Sequence, residues 1–146
     1  ENTRMAVYTE VTDDDLSAFL ARYDVGTLVA YKGIAEGVEN TNYLVQTTQA
    51  RFILTLYEAR VAPEDLPFFL GLMEHVAKRG VSCPRPVHAT DGSVLSKLAG
   101  RTAAFVTFLD GFSIKKPRAD HCHKLGRALA EFHLAAADFP RTRANA

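Results

Sequence analysis

The stretch "GIAEGVENTNYLV", residues 33–45, decides the fold. Gly33 and Gly37 stand four apart, Asn40-Thr41-Asn42 follow, and Tyr43 to Thr47 opens an apolar strand pattern. Leu28 to Ile34 reads as the strand before it. Arg51 to Glu58 reads as the strand after it, behind the polar turn Thr48-Gln49-Ala50. The three strand-like runs predict an antiparallel meander whose first turn carries the glycines. Small residues in such a turn let backbone amides approach anionic oxygens, and Asn40 can brace it through a side chain–backbone bond. Glycine-bearing hairpins are common, so two readings stay open from the loop alone: a cover for phosphate, or a plain turn. No G-x-x-x-x-G-K-[ST] motif occurs and no helix follows the loop, which disfavours a P-loop NTPase.

Outward from the meander, Thr12-Asp13-Asp14-Asp15 marks a helix start, with Thr12 as cap and an acidic first turn that suits the helix dipole. Leu16, Phe19, Leu20 and Tyr23 keep helical spacing, and Gly26 is read as the stop. On the other side, Pro63-Glu64-Asp65 predicts a second helix, with Pro67 splitting off a short opening turn. Its apolar face is Leu66, Phe69, Leu70, Met73, Val76 and Ala77, and Gly80 ends it. Cys83-Pro84-Arg85-Pro86 is a stiff connector. Val87 to Thr90 and Ser93 to Lys97 flank Asp91-Gly92 as an expected type I′ hairpin. Thr102 to Leu109 is a strand broken by Asp110-Gly111. Pro117 to Ala137 is a long helix with Leu125, Leu129, Phe132 and Ala136 on one side.

The bulk numbers bound the function. A chain of 146 residues, 47% hydrophobic, suits a compact core. Seventeen basic residues balance seventeen acidic ones, so a nucleic-acid partner is not expected. Cys83 and Cys122 lack CxxC spacing, which fits a reduced, cytoplasmic setting. No apolar run approaches the ~18 residues of a membrane span, so no membrane partner is expected either. Met5 is a candidate natural start.

The glycine hairpin, "RFILTLYE" (51–58), "LMEHVAKRGVSCPRPV" (72–87), "AAFVTFLDG" (103–111) and "LGRALAEFHLAAADF" (125–139) occur in one order. That order resembles the small lobe and lobe connection of the aminoglycoside-phosphotransferase-like kinases. Within them, "GVENTNYLV", "FILTLYE" and the 72–87 stretch look most like the type II homoserine kinase branch. The resemblance spans nearly all of residues 10–139. It implies an α+β, protein-kinase-like small lobe: a mostly antiparallel five-stranded sheet, a helix between strands 3 and 4, then the first helix of a large lobe. The implied division is 1–9 as extension, 10–111 as nucleotide-binding lobe with hinge, and 112–146 as linker and first large-lobe helix. It further implies phosphorylation of L-homoserine to O-phospho-L-homoserine with ATP and Mg²⁺. Gly33, Ile34, Gly37, Val38 and Asn40 would lie over the phosphates. Thr55 would stand at the strand-3 phosphate position. Thr107, Phe108 and Leu109 would offer backbone groups to adenine, which needs an apolar slot with a donor–acceptor edge.

Two departures matter. Kinases of this kind place Lys or Arg on strand 3 and an acid on the next helix; the matching positions here are Thr55 and Phe69. Both charges are missing together, and Arg51, Arg60 or a metal is left to compensate. The H-x-D-x-x-x-x-N type loop does not follow residue 111. The chain is therefore expected to be a fragment without catalytic residues of its own, with the metal ligands in the missing part. Other kinases of the superfamily, acting on choline, an aminoglycoside or methylthioribose, remain alternatives, as does a non-catalytic nucleotide-binding or interaction module.

The remaining constellations favour packing over chemistry. His121-Cys122-His123 cannot converge on one metal from a helix, since neighbours point about 100° apart. His133, beside Phe132, is expected to pack at a helix interface, and His75 on a helix surface or lobe contact. Ser82-Cys83 lacks a nucleophile elbow and a base. Lys115-Lys116 reads as a solvated pair, and Glu36 and Glu39 must point outward if the loop covers phosphate. Without a large lobe, Leu125, Leu129 and Phe132 are expected to form an exposed stripe.

Overall fold

A computed structural model describes residues 9–34, 39–58 and 61–144. Helix α1 (Asp13–Leu20) precedes strands β1 (Leu28–Ile34), β2 (Asn40–Thr47) and β3 (Arg51–Tyr57). A 3₁₀ turn (Pro63–Asp65) leads into α2 (Leu66–Lys78), followed by β4 (Leu95–Leu98), β5 (Arg101–Thr107) and α3 (Ala119–Ala136). The sheet has five antiparallel strands in the order β1-β2-β3-β5-β4. The α+β arrangement with its helix between β3 and β4 is the expected one. By internal contact the chain forms two units, residues 1–64 with 86–108, and residues 65–85 with 109–146. Helix α2 thus groups with α3, whereas the sequence division kept it with the sheet.

In the first unit, Thr12 caps α1: its hydroxyl accepts from the Asp15 amide at 3.1 Å. The helix ends at Leu20, earlier than Gly26, because the next amides fold back three residues, Arg22 to Phe19 and Tyr23 to Leu20. Tyr23 is therefore not helical, yet its ring stays in the core, 5.0 Å from Phe19 and 5.3 Å from Phe105. Gly26 serves the turn that follows. Its φ is +82°, and a Cβ there would lie 2.2 Å from Thr48 Oγ1. Leu16, Phe19 and Leu20 of α1 cluster with Tyr43, Val45, Phe52, Leu54, Leu56, Ala103 and Phe105 of the sheet. Each fully buried side chain of this kind is worth about 1.5–3 kcal/mol.

The expected type I′ hairpin at Asp91-Gly92 is corrected. Gly92 has positive φ but Asp91 does not. Gly92 N–H donates to Ala89 O and Ala89 N–H to Ser93 O, both at 2.8 Å, which closes a three-residue loop. Val87 to Thr90 is no strand. Only Pro86 bridges to Val106, and Val87 N–H donates to Phe105 O. Further along the same edge of β5, Ala104 pairs with Leu95 of β4, so this pairing goes no further. The two-residue turn with positive φ at both positions is Ala99-Gly100, at 50° and 73°, between β4 and β5.

In the second unit, the segment after α3 runs back along α2. The Asp138 carboxylate meets His75 Nε2 at 3.0 Å and the Arg79 guanidinium. Phe139 packs on Phe68 and His75. Arg141 donates to Pro67 O, and Arg143 pairs with Asp65 at 2.9 Å. Leu125, Leu129 and Leu134 of α3 are 69%, 51% and 76% exposed, while Phe132 is half-buried. His133 is exposed, so its expected interface role is not observed.

Candidate functional site

Alternate residues of the strands that build the core also build a second sheet face. Cross-strand register places Ile34, Asn42, Thr55, Ala104 and Leu95 in one row across all five strands. A neighbouring row holds Lys32, Leu44, Ile53 and Val106; the other holds Asn40, Tyr57, Thr102 and Lys97. In the central row, Thr55 Oγ1 donates to Asn42 Oδ1 at 2.8 Å. Asn40 Oδ1 accepts from the Glu58 amide at 3.4 Å, a bond to the end of β3; residues 35–38 of the glycine turn it was expected to brace lie outside the described residues. Burial pushes the Tyr57 phenol up from its ordinary value.

The cations of this face stand at its margins. Lys32 lies on edge strand β1 and is exposed. Lys97 lies on edge strand β4 and donates to Thr102 Oγ1 at 2.8 Å. Arg51 lies four residues along β3 from Thr55, roughly 13 Å away, with its guanidinium 4.7 Å over the Phe108 ring. Arg60 lies outside the described residues. On the core-facing side of the strand ends, Glu58 accepts from Thr9 and Thr41 hydroxyls and pairs with Arg101 at 3.1 Å. That cluster ties the chain before α1 to the sheet.

Of the predicted site residues, Ile34, Asn40 and Thr55 share the face. Gly33 pairs with Tyr43 at the end of β1, and Gly37 and Val38 lie outside the described residues. Thr107 pairs with Phe52 at the opposite end of the sheet, Phe108 follows it, and Leu109 is 46% exposed. The loop end at Asn40↔Tyr57 and the strand end at Phe52↔Thr107 are five residues of β3 apart, roughly 17 Å. The face between them offers the apolar side chains Leu44, Ile53 and Val106 and the neutral Asn42–Thr55 pair.

Asn42 stands on this face beside Thr55 and is not among the residues singled out from the sequence. The signal was present: Asn40 and Asn42 are two apart on a strand, so they share a face with whichever β3 residue pairs there. Phe69, at the position expected for an acid, is 41% exposed with the Arg143 guanidinium 5.1 Å over its ring. Glu39 is exposed, and Glu36 lies outside the described residues. Cys83 is half-buried, and burial raises its thiol above the ordinary range. His121 Nδ1 accepts from the Arg118 amide at 3.0 Å. Among the described residues, no three His, Cys, Asp or Glu side chains come close enough to hold a metal, and no helix is long and apolar enough to cross a membrane. A shallow cavity of about 660 Å³ in the second unit, lined by Arg79, Val81, Glu131 and Leu134 among others, contains none of the predicted site residues.

The profile of the phosphotransferase enzyme family matches residues 30–146. A homoserine kinase of Xanthobacter autotrophicus is 62% identical over 141 residues, and one of Azorhizobium caulinodans is 64% identical over 142. Each alignment covers 97% of this chain and 44% of the relative, so the chain spans less than half the length of these proteins. A spectinomycin phosphotransferase, solved with ADP and spectinomycin, superposes with a TM-score of 0.68 at 12% identity, covering 87% of this chain and 39% of that one. That likeness concerns the fold alone.

Proposed function

This chain belongs to the phosphotransferase enzyme family, and from that premise we propose that it is the nucleotide-binding amino-terminal part of a homoserine kinase. The observation that carries the reading is the 62–64% identity with two proteins named homoserine kinase along 97% of the chain. The complete polypeptide transfers the γ-phosphoryl group of ATP to the hydroxyl of L-homoserine, giving O-phospho-L-homoserine. In this proposal the adenine edge meets backbone at Thr107 to Leu109. The phosphates run along the sheet face toward Thr55, between the Gly33 end of β1 and Asn40; Gly37 and Val38, which the resemblance also assigns to the phosphates, lie outside the described residues.

Phosphoryl transfer is mostly positioning plus charge stabilisation. This chain supplies positioning: a rigid sheet, an apolar surface for the base, and hydrogen-bond donors for the phosphates. The general base and the Mg²⁺ ligands fall, in this proposal, within the length of the relatives that the chain does not span. Mg²⁺ supplies neutralisation of the triphosphate when bound. Residues 112–146 then carry the linker and first helix of the catalytic lobe, and the exposed leucines of α3 are the side chains that lobe covers.

The test is phosphoryl transfer by the complete polypeptide with ATP and a panel of small alcohols. Turnover of L-homoserine, with far weaker turnover of choline and aminoglycosides, is expected. Turnover of an aminoglycoside or choline alone would retain the class and overturn the substrate.

A further inference from the structure

We propose that the side chain which meets the phosphate oxygens on the central strands is the Asn42 amide, with Thr55 as the residue that orients it. The inference rests on the nucleotide-binding reading above and adds to it a residue and a direction. Thr55 has one hydroxyl proton, and that proton is committed to Asn42 Oδ1 at 2.8 Å. What Thr55 presents outward is lone-pair density, which repels a phosphate oxygen. On Asn42 the carbonyl is the engaged end. Its NH₂ group has no other partner among the described residues and carries two protons.

The register keeps this amide in place. Asn42 lies between Ile34 on β1 and Thr55 on β3, in a row that continues to Ala104. Ile34 and Ala104 flank the pair with apolar side chains, and the Thr55 proton is already engaged, which leaves the amide as the donor of that row. A lysine at position 55 would deliver a full charge, but it would need a carboxylate to hold it. The neutral pair needs none, because each member holds the other. An amide donor to an anionic oxygen is a charge-assisted bond, stronger than a neutral one. The central strands can therefore contact phosphate without a cation of their own.

The experiment is calorimetric titration of the complete polypeptide with β,γ-imido-ATP and, separately, with adenosine. Asn42→Ala is expected to weaken the triphosphate analogue roughly 10- to 100-fold and to leave adenosine unchanged. Thr55→Val, which keeps the shape and removes the hydroxyl, is expected to weaken it less than Asn42→Ala does. Asn42→Asp keeps the side-chain size and turns a carboxylate toward the phosphate; it is expected to lose more affinity than the alanine. It also serves where the alanine variant does not fold. Analogue affinity within about twofold of wild type in Asn42→Asp overturns the proposal. So does a Thr55→Val loss as large as that of Asn42→Ala. Failure of the wild-type polypeptide to bind either ligand is a different result: it overturns the nucleotide-binding reading itself.

Discussion

The two faces of the sheet come from alternate residues of the same strands, yet they are built to different ends. On one face Tyr43, Val45, Phe52, Leu54, Leu56 and Phe105 close against α1. On the other, the same strands present Asn42, Leu44, Ile53, Thr55 and Val106, all half-buried, with one polar pair in the middle. The closed face is where dehydrated apolar area stabilises the fold. The second face keeps groups that a ligand can engage. A strand's period of two lets one segment serve both roles without compromise, because a change on one face leaves the other largely untouched.

That separation can be broken by experiment. Leu54 is fully buried, and Leu54→Ala is expected to cost about 2–5 kcal/mol in urea unfolding while nucleotide affinity of the folded fraction is kept. A matched loss of affinity per folded molecule would show that the faces are coupled. Gly26→Ala comes next, at about 1–3 kcal/mol, since both its φ and the nearby Thr48 hydroxyl oppose a Cβ. Thr12→Ala, which removes the cap of α1, should cost about 1 kcal/mol. Neither change should alter binding to the second face. Thr55→Val should reverse the pattern, with a stability change of about 1 kcal/mol or less and a measurable loss of triphosphate affinity.

The smallest expected effect lies away from the sheet. The hydrogen bond from His75, aided by Arg79, holds the Asp138 carboxyl below its ordinary value. A depressed carboxyl contributes stability that is fully present above its unfolded value of 3.8 and is lost as pH falls through the lower folded value. Thermal unfolding followed from neutral pH into the carboxyl range should therefore show a shallower acid limb for Asp138→Asn. An acid limb identical to wild type would mean that the contact adds nothing to folding.

Legibility followed the range of the interactions. The cap at Thr12, the helix start at Pro63, the breaks at Gly80 and Asp110-Gly111, and the meander from Leu28 to Tyr57 depend on neighbours within a few residues. They could be read directly. The turn beside Gly92 was placed correctly but given the wrong geometry, because Asp-Gly suits both a two-residue turn and a three-residue one. The I′ geometry fell instead to Ala99-Gly100, where the pairing of Leu98 with Arg101 demands two positive φ angles. Asn42 was passed over because its meaning depends on the partner that β3 sets beside it.

The sequence by itself determined the three helices, the meander of the first three strands and the caps and breaks around them, since spacing and capping are local properties. Only the tertiary structure decided that the Thr55 hydroxyl would donate to the Asn42 carbonyl on the open face. It also decided that α2 would be gripped by the segment from Asp138 to Arg143. Both depend on residues 13 to 78 positions apart meeting in space, and such meetings are fixed by strand register and helix packing rather than by any local preference.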